Sequence, residues 1–423
     1  MKDFQAGVGL SRSWDPKKAG EEVAVSTLEK LDKDPKFFLL FSTIHYDKEK
    51  NGMQKFVEAV YDQLPKGTPM IGGTVAGFMN PYGCYARGAT GLAVSYPDMD
   101  VAVGVGRNTK RNPKKAASEC AKMIKKGLKD SKYKNKYFIN FISSAAVPNI
   151  PIISGRKVIR DIKGLNFLLA VFDRISPIMQ IGCGRDDVVI KSFSEMLPDY
   201  EGIGGASCDN LSLEKNYQYY LSDVMTNSIV SIGLSINQKL KSSMSLGLNP
   251  TGKKLFITDT SQSGYIVNKI NGKPAVEEYL NVMGWSEDIL DERLYRKVFY
   301  YPLIQTVKNK KEPRMFGLVY GDSFVFPMKP PKMQELEICT SSGKDLLDSY
   351  SELFEKKPYN AGFMISCGTR LETLGNKIFT INEKILNKSF IGDYLLLYTA
   401  GEYMKKSQEN ALSMYQSNVA ILF

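Results

Sequence analysis

The chain has 423 residues, of which 43% are hydrophobic and 24% charged, with a formal net charge of +11. This is the composition of a globular protein of about two to four domains, and it excludes collagen-like, disordered and low-complexity classes. No apolar run approaches the roughly 18 residues of a membrane helix. Met1–Leu10 lacks the pattern of a signal peptide. The cysteines at 84, 120, 183, 208, 339 and 367 form no CxxC pair, against a secreted disulfide scaffold and a zinc ribbon. The expectation is a cytoplasmic protein with reduced thiols.

The N-terminal half reads as an internal duplication. Gly7-Val8-Gly9 and Asp15-Pro16-Lys17-Lys18-Ala19 recur 97 residues later as Gly104-Val105-Gly106 and Asn112-Pro113-Lys114-Lys115-Ala116. Asp or Asn before Pro is a helix start, with the polar side chain as cap and proline at the first position. The spacing predicts helices running to about Leu31 and Leu128. Buried strands follow at Phe37–Thr43 and Tyr137–Ser144, where apolar residues run without alternation. Phe56–Asp62 then resembles Phe167–Asp173, and Ile71-Gly72-Gly73-Thr74 matches Ile203-Gly204-Gly205-Ala206. Copy two carries insertions at Ala145–Leu165 and Gly182–Tyr200. Each copy ends in two runs read as a β-hairpin, Gly91–Tyr96 with Val101–Val105 and Ser228–Ile236 with Ser242–Leu248.

Between Arg107 and Lys136 lie twelve lysines and arginines against only Glu119 and Asp130, so the rest of the chain is nearly balanced. Ala116, Ala117, Cys120, Ala121, Ile124 and Leu128 recur at helical spacing, which places the lysines on the opposite, solvated face. That face is suited to dock an acidic partner. Nothing in it resembles a nucleic-acid motif, and nucleic acid is not expected as a partner.

From Asn249 the pattern changes. Strands are predicted at Leu255–Thr258 and Tyr265–Ile270, a helix from Pro274 to Val282, a charged loop at Lys308–Pro313 and a hairpin around Gly321-Asp322. A helix at Asp345–Phe354, a strand at Gly362–Ser366, a helix at Ile378–Leu386 and strands at Tyr394–Thr399 and Asn418–Phe423 complete a second unit. The fold class is therefore layered α/β with mixed sheets: a duplicated region 1–248 (repeats 5–106 and 102–248) plus an α/β domain 249–423.

Few residues are suited to chemistry. His45 is the single histidine, so neither a triad nor a multi-histidine metal site can be built, although one axial histidine suffices for haem. Gly72-Gly73 and Gly204-Gly205 lack nucleotide-loop spacing and permit close backbone approach, to a ligand or to a neighbouring strand. Asp209 and Asn210 either bind a polar ligand or cap a turn. Cys367 needs a base to become a nucleophile. Arg370 carries a planar fork for a carboxylate or phosphate, and Glu402 either pairs with it or takes a ligand amine. Together Arg370 and Glu402 suit a zwitterion.

Pro16–Ala19, Phe38–Tyr46, Ile71–Gly77, Gly91–Val94, Ile203–Ala206, Val267–Leu280, Ser366–Arg370, Leu374-Gly375, Ala400–Glu402 and Asn418–Leu422 stand in an order that resembles the FIST family (F-box and intracellular signal transduction), with N- and C-terminal FIST regions. The resemblance implies a sensory domain that binds small ligands such as amino acids and relays the signal to kinases, chemoreceptors or cyclases. Some relatives bind haem. The chain begins in the first repeat, so no F-box is expected and the partner acts in trans. The lysine-rich helix and Tyr415-Gln416-Ser417-Asn418 depart from the family pattern. The expected ligand site comprises Arg370, Glu402, Cys367, Gly72, Gly73, Gly204, Gly205, Asp209 and Asn210, without catalytic residues or a metal. The alternatives are a haem gas sensor using His45 and a Cys367-dependent hydrolase or transferase.

Overall fold

The computed structural model describes residues 3–147, 155–160, 164–307 and 310–423. It is a mixed α/β structure in which one strand order occurs three times. The first unit contains β1 (Gln5–Ser11), α1 (Pro16–Leu28), β2 (Phe37–Ser42), α2 (Gly52–Gln63), β3 (Met70–Thr74), the hairpin β4 (Gly77–Asn80) and β5 (Gly83–Tyr85), and β6 (Ala89–Ser95). The second contains β7 (Met99–Arg107), α3 (Pro113–Gly127), β8 (Asn135–Ser143), β9 (Val158–Ile159), α4 (Leu165–Met179), α5 (Asp186–Met196), β10 (Glu201–Ser207), the hairpin β11 (Gln218–Tyr220) and β12 (Asp223–Met225), and β13 (Ser228–Ile236).

The third opens with β14 (Lys241–Ser245). An insertion follows: β15 (Asn249–Thr260), β16 (Ile266–Ile270), β17 (Lys273–Pro274), α6 (Ala275–Met283), α7 (Glu292–Lys297), β18 (Leu303–Val307), β19 (Lys310–Arg314), β20 (Leu318–Tyr320), β21 (Ser323–Val325) and β22 (Glu335–Thr340). The unit resumes with α8 (Gly343–Ser351), β23 (Gly362–Cys367), short helical turns from Arg370 to Ser389, β24 (Tyr394–Thr399), the hairpin β25 (Glu402–Lys405) and β26 (Leu412–Met414), and β27 (Asn418–Leu422).

The three body sheets run β1-β6-β2-β3-β11-β12, β7-β13-β8-β10-β25-β26 and β14-β27-β23-β24-β4-β5. In each, two parallel strands from one unit are completed by a hairpin from another. Unit two supplies β11–β12 to the first sheet, unit three β25–β26 to the second, and unit one β4–β5 to the third. The inner faces meet in one apolar core, where Phe41, Phe141 and Phe363 pack together with ring centroids 4.7 to 6.3 Å apart. The outer faces carry helices: α1 and α2 on the first sheet, α3 and α5 on the second, α8 on the third.

Several expectations are corrected by this arrangement. β6 and β7 are joined by a short turn but lie in different sheets, as do β13 and β14, so neither couple is a hairpin. Alternation of side chains reveals a strand but not its partner. The helix that packs on α3 as α2 packs on α1 is α5, through Val189, Ile190 and Phe193; α4, which includes Phe167–Asp173, is additional. Lys310–Pro313 belongs to β19, paired with β18, and is not a loop; residues 308 and 309 lie outside the described residues, as do 148–154 and 161–163 within the expected insertion. The boundary at 248/249 falls between β14 and β15, and hydrogen-bonded sheets cross it. At the helix starts, Asp15 accepts from the Lys18 amide at 2.7 Å, whereas Asn112 makes no side-chain cap. Proline opens both helices, so the difference lies at the cap residue: Asp15 has the extended backbone of a capping residue (φ −72°, ψ 121°), whereas Asn112 departs from it (φ −131°, ψ 63°).

The Gly-Gly elements are seats for neighbouring strands. A Cβ on Gly72 would lie 1.7 Å from the Leu40 carbonyl oxygen, and one on Gly204 1.8 Å from Asn140 Oδ1. Gly72→Ala is therefore expected to destabilise the protein by about 1–3 kcal/mol, the usual cost of overpacking a core. Gly317→Ala, whose nearest neighbour is Pro327 at 3.5 Å, should stay within about 0.5 kcal/mol of the parent. Urea unfolding of the two variants checks this, and equal midpoints would refute the packing role.

Candidate functional site

The sequence-derived site residues separate into a buried clamp, a capped turn and a pocket wall. Arg370 is fully buried. Its Nη1 donates to Ser349 Oγ at 2.9 Å, and its Nη2 to the carbonyls of Leu246 and Gln416, both at 2.6 Å. The Tyr350 ring lies 5.5 Å from the guanidinium carbon. Arg370 thus ties the end of β14, α8 and the turn before β27 together, holding Gln416 at φ +54°. Asn418 joins the same network, accepting from Ser366 Oγ at 2.7 Å and donating to Ser349 Oγ at 3.0 Å.

Glu402 is also fully buried; its Oε2 accepts from the Ser417 amide at 3.2 Å and hydroxyl at 2.9 Å. Burial pushes its carboxyl up to about 8, against the opposing pull of the Ser417 hydrogen bonds and Arg370. Arg370 and Glu402 do not form an ion pair within 4 Å, and the two guanidinium Nη atoms are already engaged. The expected two-charge ligand grip is replaced by a clamp on the backbone.

Asp209 accepts from the amides of Leu213, Glu214 and Lys215 at 2.7 to 3.3 Å, and exposed Asn210 accepts from Ser212 Oγ at 2.8 Å. Both organise the 210–215 turn. Gly73 and Gly205 face Ser207 and Thr399, in keeping with strand packing.

His45 is half-buried. Its Nδ1 lies 2.8 Å from Thr43 Oγ1, and its ring packs on Tyr46 at 3.8 Å and edge-on to Trp14 at 5.8 Å. Burial, then the charge of Arg87, lowers it to about 4, while the Ser13 and Thr43 backbones hydrogen-bond to it. A haem iron would be held through Nε2 with Nδ1 still bonded to Thr43, and Trp14 and Tyr46 already pack against the ring. Among the described residues no group of three or more His, Cys, Asp or Glu could hold a metal ion.

Cys367 lines a cavity. At the end of β23 its thiol lies 3.0 Å from Thr369 Oγ1. Burial, then the Glu402 charge, pushes the thiol up to about 12, so it is not a thiolate at neutral pH. The cavity of about 40 Å³ is bordered by Ser144, Thr369, Thr399 and Tyr415, with Met315 and Pro327 from the insertion. At about 10–15 Å³ for each water, it has room for about three.

Past Ala145, Leu213, Gly317 and Pro327, shared by both, lies a second, apolar cavity of about 50 Å³ under Leu169 and Phe172 of α4. Leu169, Asp173 and Ile266 then border an open cleft of about 460 Å³ between α4 and the insertion sheet. That cleft carries Asp173 and Asp322 together with Arg174 and Lys269. Sequence reasoning missed it because its walls come from segments more than 80 residues apart.

A second buried polar cluster was also missed. Asp186, at the start of α5, accepts from Tyr403 Oη at 2.6 Å, and burial pushes its carboxyl up to about 7. Lys110 is buried nearby, lowered to about 8 by desolvation, with Asp186 and Cys183 among the charges opposing that shift. It is thus not part of the exposed basic face. A lysine within the apolar helix approach and a carboxylate three residues after Cys183 gave no periodic signal.

Residues 36–273, more than half the chain, match the family described as FIST N domain. No curated protein matches. Among solved structures, a cyanuric acid hydrolase from A. caulinodans is similar at 9% identity over 56% of this chain and 71% of that one, with a TM-score of 0.26.

Two measurements test the clamp. Arg370→Lys, with no ligand present, should lose about 3 kcal/mol or more, because buried acceptors are left without donors; stability equal to the parent would return Arg370 to a ligand role. Glu402 holds a proton in the folded protein that the unfolded chain, with its ordinary value of 4.5, releases as pH rises. Folding stability should therefore fall between about pH 4.5 and 8. Glu402→Gln should flatten that decline in unfolding free energies measured across the range; an unchanged slope would refute the raised carboxyl.

Proposed function

This chain belongs to the FIST family, whose domain is a sensory module of signal transduction, and we propose that it senses an amino acid or a similar small polar ligand. The observation that carries this reading is the series of adjoining cavities, each sharing wall residues with the next, from the α4 cleft to Cys367. The cleft has room for a small molecule, and its walls carry both signs of charge. Asp173, which also accepts from Ser263, and Asp322, which also pairs with Arg160 at 3.2 Å, suit a ligand ammonium group; Arg174 and Lys269 suit a carboxylate. The inner cavities are too small for an amino acid backbone and suit its apolar side chain or waters. The ligand site is thus proposed at the cleft, with Cys367 and Thr369 at its far end and Arg370 and Glu402 as the frame behind them.

Residues 249–423 act in this reading as the FIST C-like part, contributing the insertion that forms one cleft wall. The output passes to a signalling protein in trans, such as a kinase or chemoreceptor. Among the described residues no helix is long and apolar enough to cross a membrane.

Thermal unfolding against a panel of the twenty amino acids and small organic acids tests the reading. A ligand at a hundredfold excess over its Kd adds about 2.7 kcal/mol and raises Tm. Arg174→Ala with Lys269→Ala, both on the cleft rim, should remove that shift while leaving the ligand-free Tm unchanged. No shift with any compound at millimolar concentration overturns the proposal.

A further inference from the structure

α4 is apolar on two sides. Leu169 and Phe172 face inward over the cavity. Phe167, Leu168, Val171, Ile175, Ile178 and Met179 face outward, with Phe167 72%, Ile178 63% and Met179 60% exposed. Their spacing places them on one continuous helical stripe, interrupted only by exposed Arg174. A helix apolar all round is ordinarily buried, and an exposed apolar stripe of this length marks an interaction surface. At 15 residues α4 is about 22 Å long, too short to span a bilayer.

The second observation is the charge beside it. Gln180, which ends α4, donates to Asn108 Oδ1 at 2.7 Å. That contact anchors α4 to the start of the basic segment. Arg107 and Arg111 lie within three residues of that contact, and Lys114, Lys115, Lys122, Lys125 and Lys126 continue along α3; all are exposed, and among the described residues the one carboxylate in ion-pair reach is Glu119, 3.8 Å from Lys115. An apolar stripe flanked by unneutralised cations is the pattern of a helix lying in the headgroup region of an anionic membrane. A second copy of the chain is a poorer occupant. Twofold pairing through α4 brings the same basic segment of both copies to one interface, where like charges repel.

We propose that the protein docks on an anionic lipid surface, inserting the outer face of α4 while the lysines of α3 and its approach contact lipid headgroups. This does not depend on the ligand reading, which uses the inner side of the helix.

Vesicle flotation tests it with the full chain. Vesicles of phosphatidylcholine containing about 30 mol % phosphatidylserine should carry the protein, and pure phosphatidylcholine vesicles should not. Phe167→Glu with Ile178→Glu, and separately Lys114→Glu with Lys115→Glu, should each lower the bound fraction at least about tenfold, as should about 0.5 M salt. Both pairs are exposed, and unchanged circular dichroism and Tm verify that each variant folds. Three results overturn the proposal: no binding to anionic vesicles, equal binding to neutral ones, or binding that survives the α4 substitutions. Sedimentation showing a dimer that Phe167→Glu with Ile178→Glu dissolves, without vesicle binding, assigns the face to a second copy instead.

Discussion

A buried strand cannot leave its backbone donors and acceptors unpaired, and β3, β10 and β24 are each buried and bonded on one side only by their own unit. The missing partner comes from elsewhere in the chain: β11 for β3, β25 for β10, β4 for β24. This exchange is cyclic, so no unit satisfies its own hydrogen bonds and all three close together. The shared core of Phe41, Phe141 and Phe363 sits where the three inner faces meet. Close strand packing in turn demands glycine at positions such as 72 and 204, where a Cβ would strike the adjoining strand.

The same exchange explains the position of the buried charges. β25 must reach β10, and Glu402, its first residue, is drawn between sheets. The chain returning from β26 to β27 must turn sharply at Tyr415–Ser417, where Gln416 adopts a left-handed conformation. Such a turn is strained for a non-glycine residue. Arg370 bonds the Gln416 carbonyl and Glu402 bonds Ser417, fixing the turn from both sides. The two charges that suggest a ligand grip are therefore placed by the topology, and the pocket lies in front of them.

Much of the body was legible in the sequence because its signals are local. Apolar runs marked β2, β8, β23 and β24, proline marked the starts of α1 and α3, and the 97-residue offset linked two units. The third unit was hidden because the insertion separates β14 from β23, so its landmarks fall out of step. Partner choice was hidden as well: β6 and β7 look like a hairpin from spacing, but β6 pairs with β1 and β2 of the first unit and β7 with β13 of the second. Cys367 was legible as a strand-end residue, where α/β folds commonly present side chains, and it borders a cavity. The partners of Arg370 were not legible, because a buried guanidinium bound to carbonyls and one bound to a ligand have the same sequence signature. The cleft has no sequence signature, since its shape arises from α4 and the insertion sheet meeting in space.

Of the elements that enclose the cavity series, α4 is held least firmly. Its inward residues are few, Asp173 bonds the Ser263 amide and hydroxyl, and Pro177 interrupts the hydrogen-bond ladder of its last turn. The strand ends at Cys367 and Thr399 are instead held within a fully bonded sheet. Opening costs least where the fewest buried contacts must break. Under the ligand reading, a molecule in the cleft contacts the inner side of α4 through Leu169, Asp173 and Arg174. Under the lipid reading, the outer side of that helix is the docking surface. One lightly held helix then joins both events, and any free energy a ligand contributes to holding α4 in place is available to bias what its other face binds.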